Sequence, residues 1–490
     1  MLLKRKDRPE KKYDVVVVGS GLAGMTAANK LARNGRKVLL LESHNKLGGF
    51  ATWFKRKKGD HIFDVSLHGF PVGMIKTCRK YWSKEIAQSI TQVSRVRYIN
   101  PQFEIETDFT REDFTRQLIE KFNLDPKVVE AFFEELETMN FYDAPKMNNG
   151  ELFDKYFKGR NDVQRFLLEP IVYANGSTLE DPAITYGIVF SNFMSKGVYI
   201  FRGGTDKLIG LMKEELISNG VDIKLHSKID KFHIESTAGA PICRGVWLGD
   251  QLIEADAVVS NANLVRTIQD MAGEEFFAPE FIEKLRKVRL NTSSCQVFMG
   301  IREGESIPDI GELVFTSEDE TFNTDLLLSP KVGSQTFSVY YPDMREDRGE
   351  RYAVVSSSNA RYEDWKDLSE QEYLDQKEFV KKRALDALEK IIPGVREKID
   401  FVDCSTPLTV ERYTHHKKGA SFGTKFEGLE LSMGMHHQVP GLFHSGSVGI
   451  IMSGWLGAAN YGIIQSHEVE GHLDRVEKQK QVESGLQESL

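Results

Sequence analysis

Cysteine is scarce: four in 490 residues, at Cys78, Cys243, Cys295 and Cys404, with no CxxC pair. This excludes a disulfide framework or a cysteine zinc cage and suits a reducing compartment. Long apolar runs are missing too. None reaches the roughly 18 residues of a membrane-spanning helix, and the nearest, Gly441 to Ile464, is broken by Gly, Ser, His and Asn. The opening MLLKRKDRPEKK lacks the apolar stretch of a signal peptide. There is no excess of positive charge: 64 Lys+Arg against 72 Asp+Glu give −8, which argues against a nucleic-acid partner. The expectation is a cytoplasmic protein, soluble or peripheral on a membrane. No P-loop, metal-ligand helix or Ser-His-Asp order occurs. His415-His416 and His436-His437 would point opposite ways in an extended chain, so no metal site is assigned.

What remains is 40% hydrophobic and 28% charged, enough for a sizeable core. The first fifty residues carry the clearest signal. Tyr13 to Val18 reads YDVVVV, a buried parallel strand. GSGLAG follows at 19–24, then a helical stripe of Leu22, Met25, Ala28, Leu31 and Ala32, closed by Asn34-Gly35. A second strand, Lys37 to Leu41, delivers Glu42. Gly19 permits the tight strand-to-helix turn, Gly21 the close approach of a pyrophosphate, and Gly24 close packing of helix on strand. The helix N-terminus offers N–H groups and partial positive charge to phosphates. Glu42 can accept from ribose hydroxyls and would repel a 2′-phosphate. Strand, glycines, helix, strand and acid in this order identify a dinucleotide site rather than an ordinary Gly-rich turn.

Gly48-Gly49, six residues after Glu42, is not needed for NAD. Gly19 through Ala28, Leu31, Gly35, Val38, Glu42 and Gly49 resembles the extended FAD fingerprint of glutathione-reductase-like flavoproteins. That family usually continues with Arg or Lys, where this chain has Phe50. Gly203-Gly204, a helix, Asn219-Gly220 and a strand over Ile223 to Ile229 resemble a segment of amine oxidases and carotenoid desaturases, in which the backbone at the position of Ile229 meets adenine. Gly249-Asp250 signals a hairpin, and DAVVSN, Asp256 to Asn261, looks like the return strand to the FAD sheet. In GLFHSGSVGIIMSGWLGAANYG, Gly441 to Gly462, Gly446 matches the glycine beside the ribityl chain. The acid that often follows is Ser447-Val448 here. A helix opening near Gly454 would set its N–H groups against a flavin. The resemblance thus implies FAD held by Gly19, Gly21, Leu22, Ala23, Gly24, Glu42, Ser43, Gly48, Gly49, Phe50, Ala51, Ile229, Asn261, Gly446, Ser447, Gly454, Trp455 and Leu456.

Phe63-Asp64-Val65-Ser66-Leu67-His68 resembles the FDxGxH element of retinol saturases and carotenoid isomerases, with Ser66 in place of Gly. TPLT at 406–409 with GASFG at 419–423 resembles their TPxT…RGAxYG segment. His68 becomes the candidate catalytic residue beside the flavin, with a structural histidine as the alternative. The expected fold is α/β: a Rossmann-like FAD-binding domain from 12–75, 197–265 and 420–470, with an inserted α+β substrate-binding domain from 76–196 and 266–419, and a polar, frayed tail over 471–490.

Residues 110–140 read as helix, with Phe114, Leu118, Ile119 and Phe122 on one face. Ser369 to Glu372 is a capping box opening a helix stopped by Pro393-Gly394, and Leu290 to Gly300 and Gln335 to Tyr341 suggest strands. Phe166, Phe190, Phe193, Met194, Tyr199 and Phe201 read either as a tunnel for a polyene or as ordinary core. Lys76, Arg79, Lys80 and Tyr81-Trp82 read as a solvated basic helix or a membrane-surface contact. The resemblance implies an FAD-dependent oxidoreductase acting on an apolar polyene or isoprenoid by desaturation, saturation or isomerisation, its electron acceptor unassigned. The alternatives are a flavin amine oxidase, which needs an aromatic cage, and a non-catalytic prenyl-binding escort protein, which need not keep the glycine set.

Overall fold

Four consecutive valines restrict Val15–Val18 to an extended backbone with both faces covered. In the computed structural model they end β1 (Lys12–Val18), where Val15, Val16 and Val17 have no solvent exposure. The structure describes residues 9–56, 60–66, 69–140, 146–194, 196–237, 240–348, 351–449 and 451–487.

β1 pairs in parallel with β2 (Val38–Leu41) on one side and with the strand Gln251–Ser260 on the other. Asp222–Lys224 lies beyond β2, and Leu442–His444 continues the parallel sheet beside Val258–Ser260. Only Asp222–Lys224 of the stretch expected as a strand up to Ile229 is extended in the sheet. The chain turns away at His226, which takes a left-handed φ of 54°. The hairpin at Gly249-Asp250 joins Ala240–Leu248 to Gln251–Ser260, with Lys231–Thr237 at the edge. The helix α1 (Leu22–Arg33) leads from β1 to β2, while Gln251–Ser260 enters on the other side of β1. The carboxyl ends of the two strands therefore part around a crevice, the usual ligand site of a doubly wound sheet.

The described residues after Gly471, 472–487, do not fray. The helix Gly454–Gln487 runs on through them, because Arg36 reaches Glu470, Asp474 and Glu477, and Lys480 reaches Asp256. Leu473 is buried and His472 bonds the Asp256 carbonyl, so the polar composition conceals a docked face.

A second seven-stranded sheet runs in the order Ile399–Ser405, Ser293–Ile301, Ala353–Ala360, Ser334–Tyr340, Leu313–Ser317, Val96–Asn100 and Phe103–Thr107. Alternation divides its faces. Val297 and Met299 join the core under the helix Glu370–Ile391, while Phe298, Phe315 and Val355 face an aromatic cluster built on helices between residues 111 and 194. The capping box forms: Ser369 accepts from Glu372 N, and the Glu372 carboxylate accepts from Ser369 N at 2.8 Å. The stretch 110–140 is two helices, Arg111–Glu120 and Pro126–Thr138. Asp125 caps the second and Pro126 starts it, and proline cannot continue the first.

Among the aromatics read as either tunnel wall or core, Phe166 and Phe190 are fully buried in the aromatic cluster, and Phe201 belongs to the core under α1. Tyr199 packs on that same core, and the Phe193 and Met194 side chains lie outside the described set. The four cysteines are buried and free. No helix among the described residues is long and apolar enough to cross a membrane.

Candidate functional site

The turn after β1 is shaped by close backbone approach. Gly19 has φ 98° and Gly49 φ 58°. A β-carbon on Gly49 would stand 2.9 Å from Gly21 Cα, and one on Gly24 would meet Gly19 O at 2.3 Å. Gly21 bridges to Gly48 in parallel fashion, and Gly48 N donates to Ser20 O at 2.9 Å. α1 begins here with no side-chain cap and no acid in its first turn, so its N-terminal N–H groups and positive dipole end are left for an anion.

Glu42, at the end of β2, is 8% exposed. Its Oε2 accepts from Ser20 N at 2.9 Å and Ser20 Oγ at 2.5 Å, and its Oε1 from His44 N at 2.8 Å. The carboxylate thus ties the glycine turn to the loop after β2. Sequence reasoning missed Ser20, although its position between two glycines of the fingerprint was the available signal.

These residues border a cavity of about 960 Å³. Gly19, Gly21, Leu22, Ala23, Glu42, Ser43, Gly48, Gly49, Phe50, Ala51, Ile229, Asn261, Ser447, Gly454, Trp455 and Leu456 all line it. Gly24 and Gly446 stand behind the wall: a β-carbon on Gly446 would meet Ala262 O at 2.2 Å, so its smallness serves backbone packing. His68 lies outside the described residues.

Asn261 closes the turn from the other strand. Its Nδ2 donates to Ser445 O at 2.8 Å, while its Oδ1 is buried with no partner. Such an atom costs about 1–3 kcal/mol unless a ligand or water satisfies it. The glycine cradle and the uncapped helix together suit a bound diphosphate, while this oxygen, an acceptor, suits a hydroxyl or N–H of the same ligand. Behind them His444 holds the strand end in place: Nε2–H donates to Ala262 O at 3.0 Å, and Nδ1 accepts from Ser432 Oγ at 2.6 Å. Burial holds His444 neutral, its pKa pushed down to about 4.

Across the cavity, Gly454 opens the C-terminal helix with φ 65°. Trp455 stacks on Phe70 at 5.3 Å between ring centres, and its Nε1–H donates to Ser66 Oγ at 3.1 Å. His416 also lines the cavity. It bonds the Ala420 carbonyl through Nδ1 at 2.8 Å, meets Phe50 edge-on at 5.6 Å, and burial lowers its pKa. The histidine pairs do not lie in extended chain. His415 is the left-handed cap of the helix Pro407–Thr414, and His436 and His437 sit in the helix Gly428–Gln438 with rings 4.0 Å apart. No cluster of metal-ligating side chains occurs among the described residues.

Asp64 of the FDVS element is 1% exposed and clamps three segments. It pairs with Arg345, accepts from Thr205 N at 3.1 Å and accepts from Thr205 Oγ1 at 2.6 Å.

A family profile for NAD(P)-binding Rossmann-like domains matches residues 17–81. Over 98% of its length the chain is 24% identical to the chloroplastic prolycopene isomerase of Arabidopsis thaliana, covering 87% of that protein. It is also 24% identical, over 96% of its length, to the inactive all-trans-retinol 13,14-reductase of Danio rerio, covering 88% of it. Its homologues are the prolycopene isomerases and the retinol 13,14-reductases. The fold agrees with that of an oxidoreductase from Methanosarcina mazei, with a TM-score of 0.66 at 14% identity, over 93% of this chain and 100% of that one.

Proposed function

We propose that the chain is an FAD-dependent oxidoreductase acting on a long apolar polyene or isoprenoid of carotenoid or retinoid type, by desaturation, saturation or flavin-assisted cis–trans isomerisation. One observation carries this reading. The cavity that starts at the glycine turn continues without a break to walls made by Phe298, Phe315, Ile188, Val189 and Val198. It therefore offers a dinucleotide and an apolar chain a common space. The names of the homologues point the same way.

Flavin, when bound, supplies the hydride acceptor or donor. The protein's part is to hold and orient. The glycine turn and the start of α1 take the diphosphate, and Glu42 takes the ribose. Gly454, Trp455 and Leu456 bring the positive end of a long helix to the cavity, where it stabilises negative charge. The aromatic and aliphatic walls exclude water from the reacting carbons.

The helix Gly73–Tyr81 presents Lys76, Arg79 and Lys80 to solvent as the face that would gather such a substrate from a membrane. Trp82 takes no part, being 3% exposed in the core.

The test is the visible spectrum of the purified protein, then extraction of products after reaction with prolycopene, phytoene and retinol. Flavin bands released on denaturation, with a changed polyene, are the expected result. A colourless protein that takes up no FAD overturns the reading. Anaerobic reduction of the flavin by primary amines alone replaces it with an amine oxidase.

A further inference from the structure

The wall of the cavity away from the glycine turn is not uniformly apolar. In the second sheet, Gln296 stands opposite Ser405 on one side and Ser357 on the other, and Ser357 stands opposite Thr336. Directly opposed residues share a face, and all four line the cavity. The row ends at Phe315, opposite Thr336, and Phe298 lies two residues along from Gln296. A polar stripe therefore crosses an aromatic wall.

Thr336 Oγ1 donates to the Ser357 carbonyl at 3.5 Å, but two side chains of the stripe are unsatisfied. Gln296 is 9% and Ser357 7% exposed, and neither side chain has a hydrogen-bond partner among the described residues. A hydrocarbon laid over these groups would strip their water and return nothing. A hydroxyl, carbonyl or carboxyl there would meet both donors and acceptors, since an amide and hydroxyls offer each.

We propose that the polyene taken by this chain carries an oxygen function, and that the row Gln296, Ser357 and Thr336 receives it, selecting against the pure hydrocarbon of the same length. This rests on the polyene reading of the cavity.

The experiment titrates the full-length, flavin-loaded protein with all-trans-retinol and with axerophthene, the hydrocarbon that differs by the missing hydroxyl, following quenching of tryptophan fluorescence. A site built to bond a hydroxyl discriminates strongly against the analogue lacking it, so retinol should bind at least ~10-fold more tightly. Gln296→Leu with Ser357→Ala should remove that preference and tighten axerophthene binding. Gln296→Met alone serves as a milder second variant. Equal affinities in the unaltered protein, or a preference that survives these substitutions, overturn the inference and leave the polyene reading standing. Failure of both ligands to bind overturns both.

Discussion

Asn261 Oδ1 lies 2.7 Å from the point where a β-carbon on Gly21 would stand. Gly21 caps α1 just beyond β1, Asn261 follows the neighbouring parallel strand Gln251–Ser260, and the bareness of one makes room for the amide of the other. Gly21 itself has φ −61°, a conformation open to any residue.

The consequence is that substitution at Gly21 is steric and local rather than a backbone strain. Gly21→Val should fold, with a loss of no more than about 2 kcal/mol, and fail to retain flavin. The ratio of flavin to protein absorbance after desalting reads this directly, and stoichiometric flavin in the variant would contradict the placement of the diphosphate.

Asp64 and Arg345 are buried partners, and removing one leaves the other charged and dry. Asp64→Ala should lower stability by about 3–5 kcal/mol, seen as a shifted urea midpoint. A loss below 1 kcal/mol would mean that the clamp on Thr205 is dispensable.

His444 sets an acid limit. Its folded pKa of about 4 lies below the ordinary 6.5, so the fold favours the neutral ring. That stabilisation is complete above pH 6.5 and is lost as pH falls towards 4, by roughly 3 kcal/mol. His444→Asn should be less stable at pH 7 yet lose less between pH 6.5 and 4.5. Parallel stability curves for the two proteins would refute this.

Glu169 acts with the opposite sign. Burial raises it to about 7, against 4.5, with Arg165 3.9 Å away on the same helix. Its neutral form is favoured in the fold, so stability is full below pH 4.5 and declines as pH rises to 7, by roughly 1–3 kcal/mol. Glu169→Gln should gain on the unaltered protein across that interval. Denaturant unfolding at pH 5 and pH 7.5 measures the difference.

The order strand, glycines, helix, strand and acid was legible at the start of the chain because the residue types that shape the turn follow one another within a single βαβ unit. Gly19 to Gly49 spans one βαβ unit, whose glycines and acid recur at fixed offsets. The tail misled because its partner, Arg36, lies more than 430 residues earlier, and polarity alone cannot distinguish a solvated helix from a paired one. For Phe166 and Phe190 both readings stood open, since an aromatic side chain in a core and one on a tunnel wall look alike until the cavity is drawn, and the core reading is the one found.

What the sequence determined by itself is therefore the dinucleotide turn, the alternating and helical segments, and the resemblance that implies a flavin. Which side chains line the cavity was decided only in three dimensions. Gln296, Ser357 and Thr336 come from three strands whose pairing sets them in one row, and Asn261 reaches Gly21 across 240 positions. Local preference fixes an element, but a shared wall depends on register between distant strands, which only the folded sheet supplies.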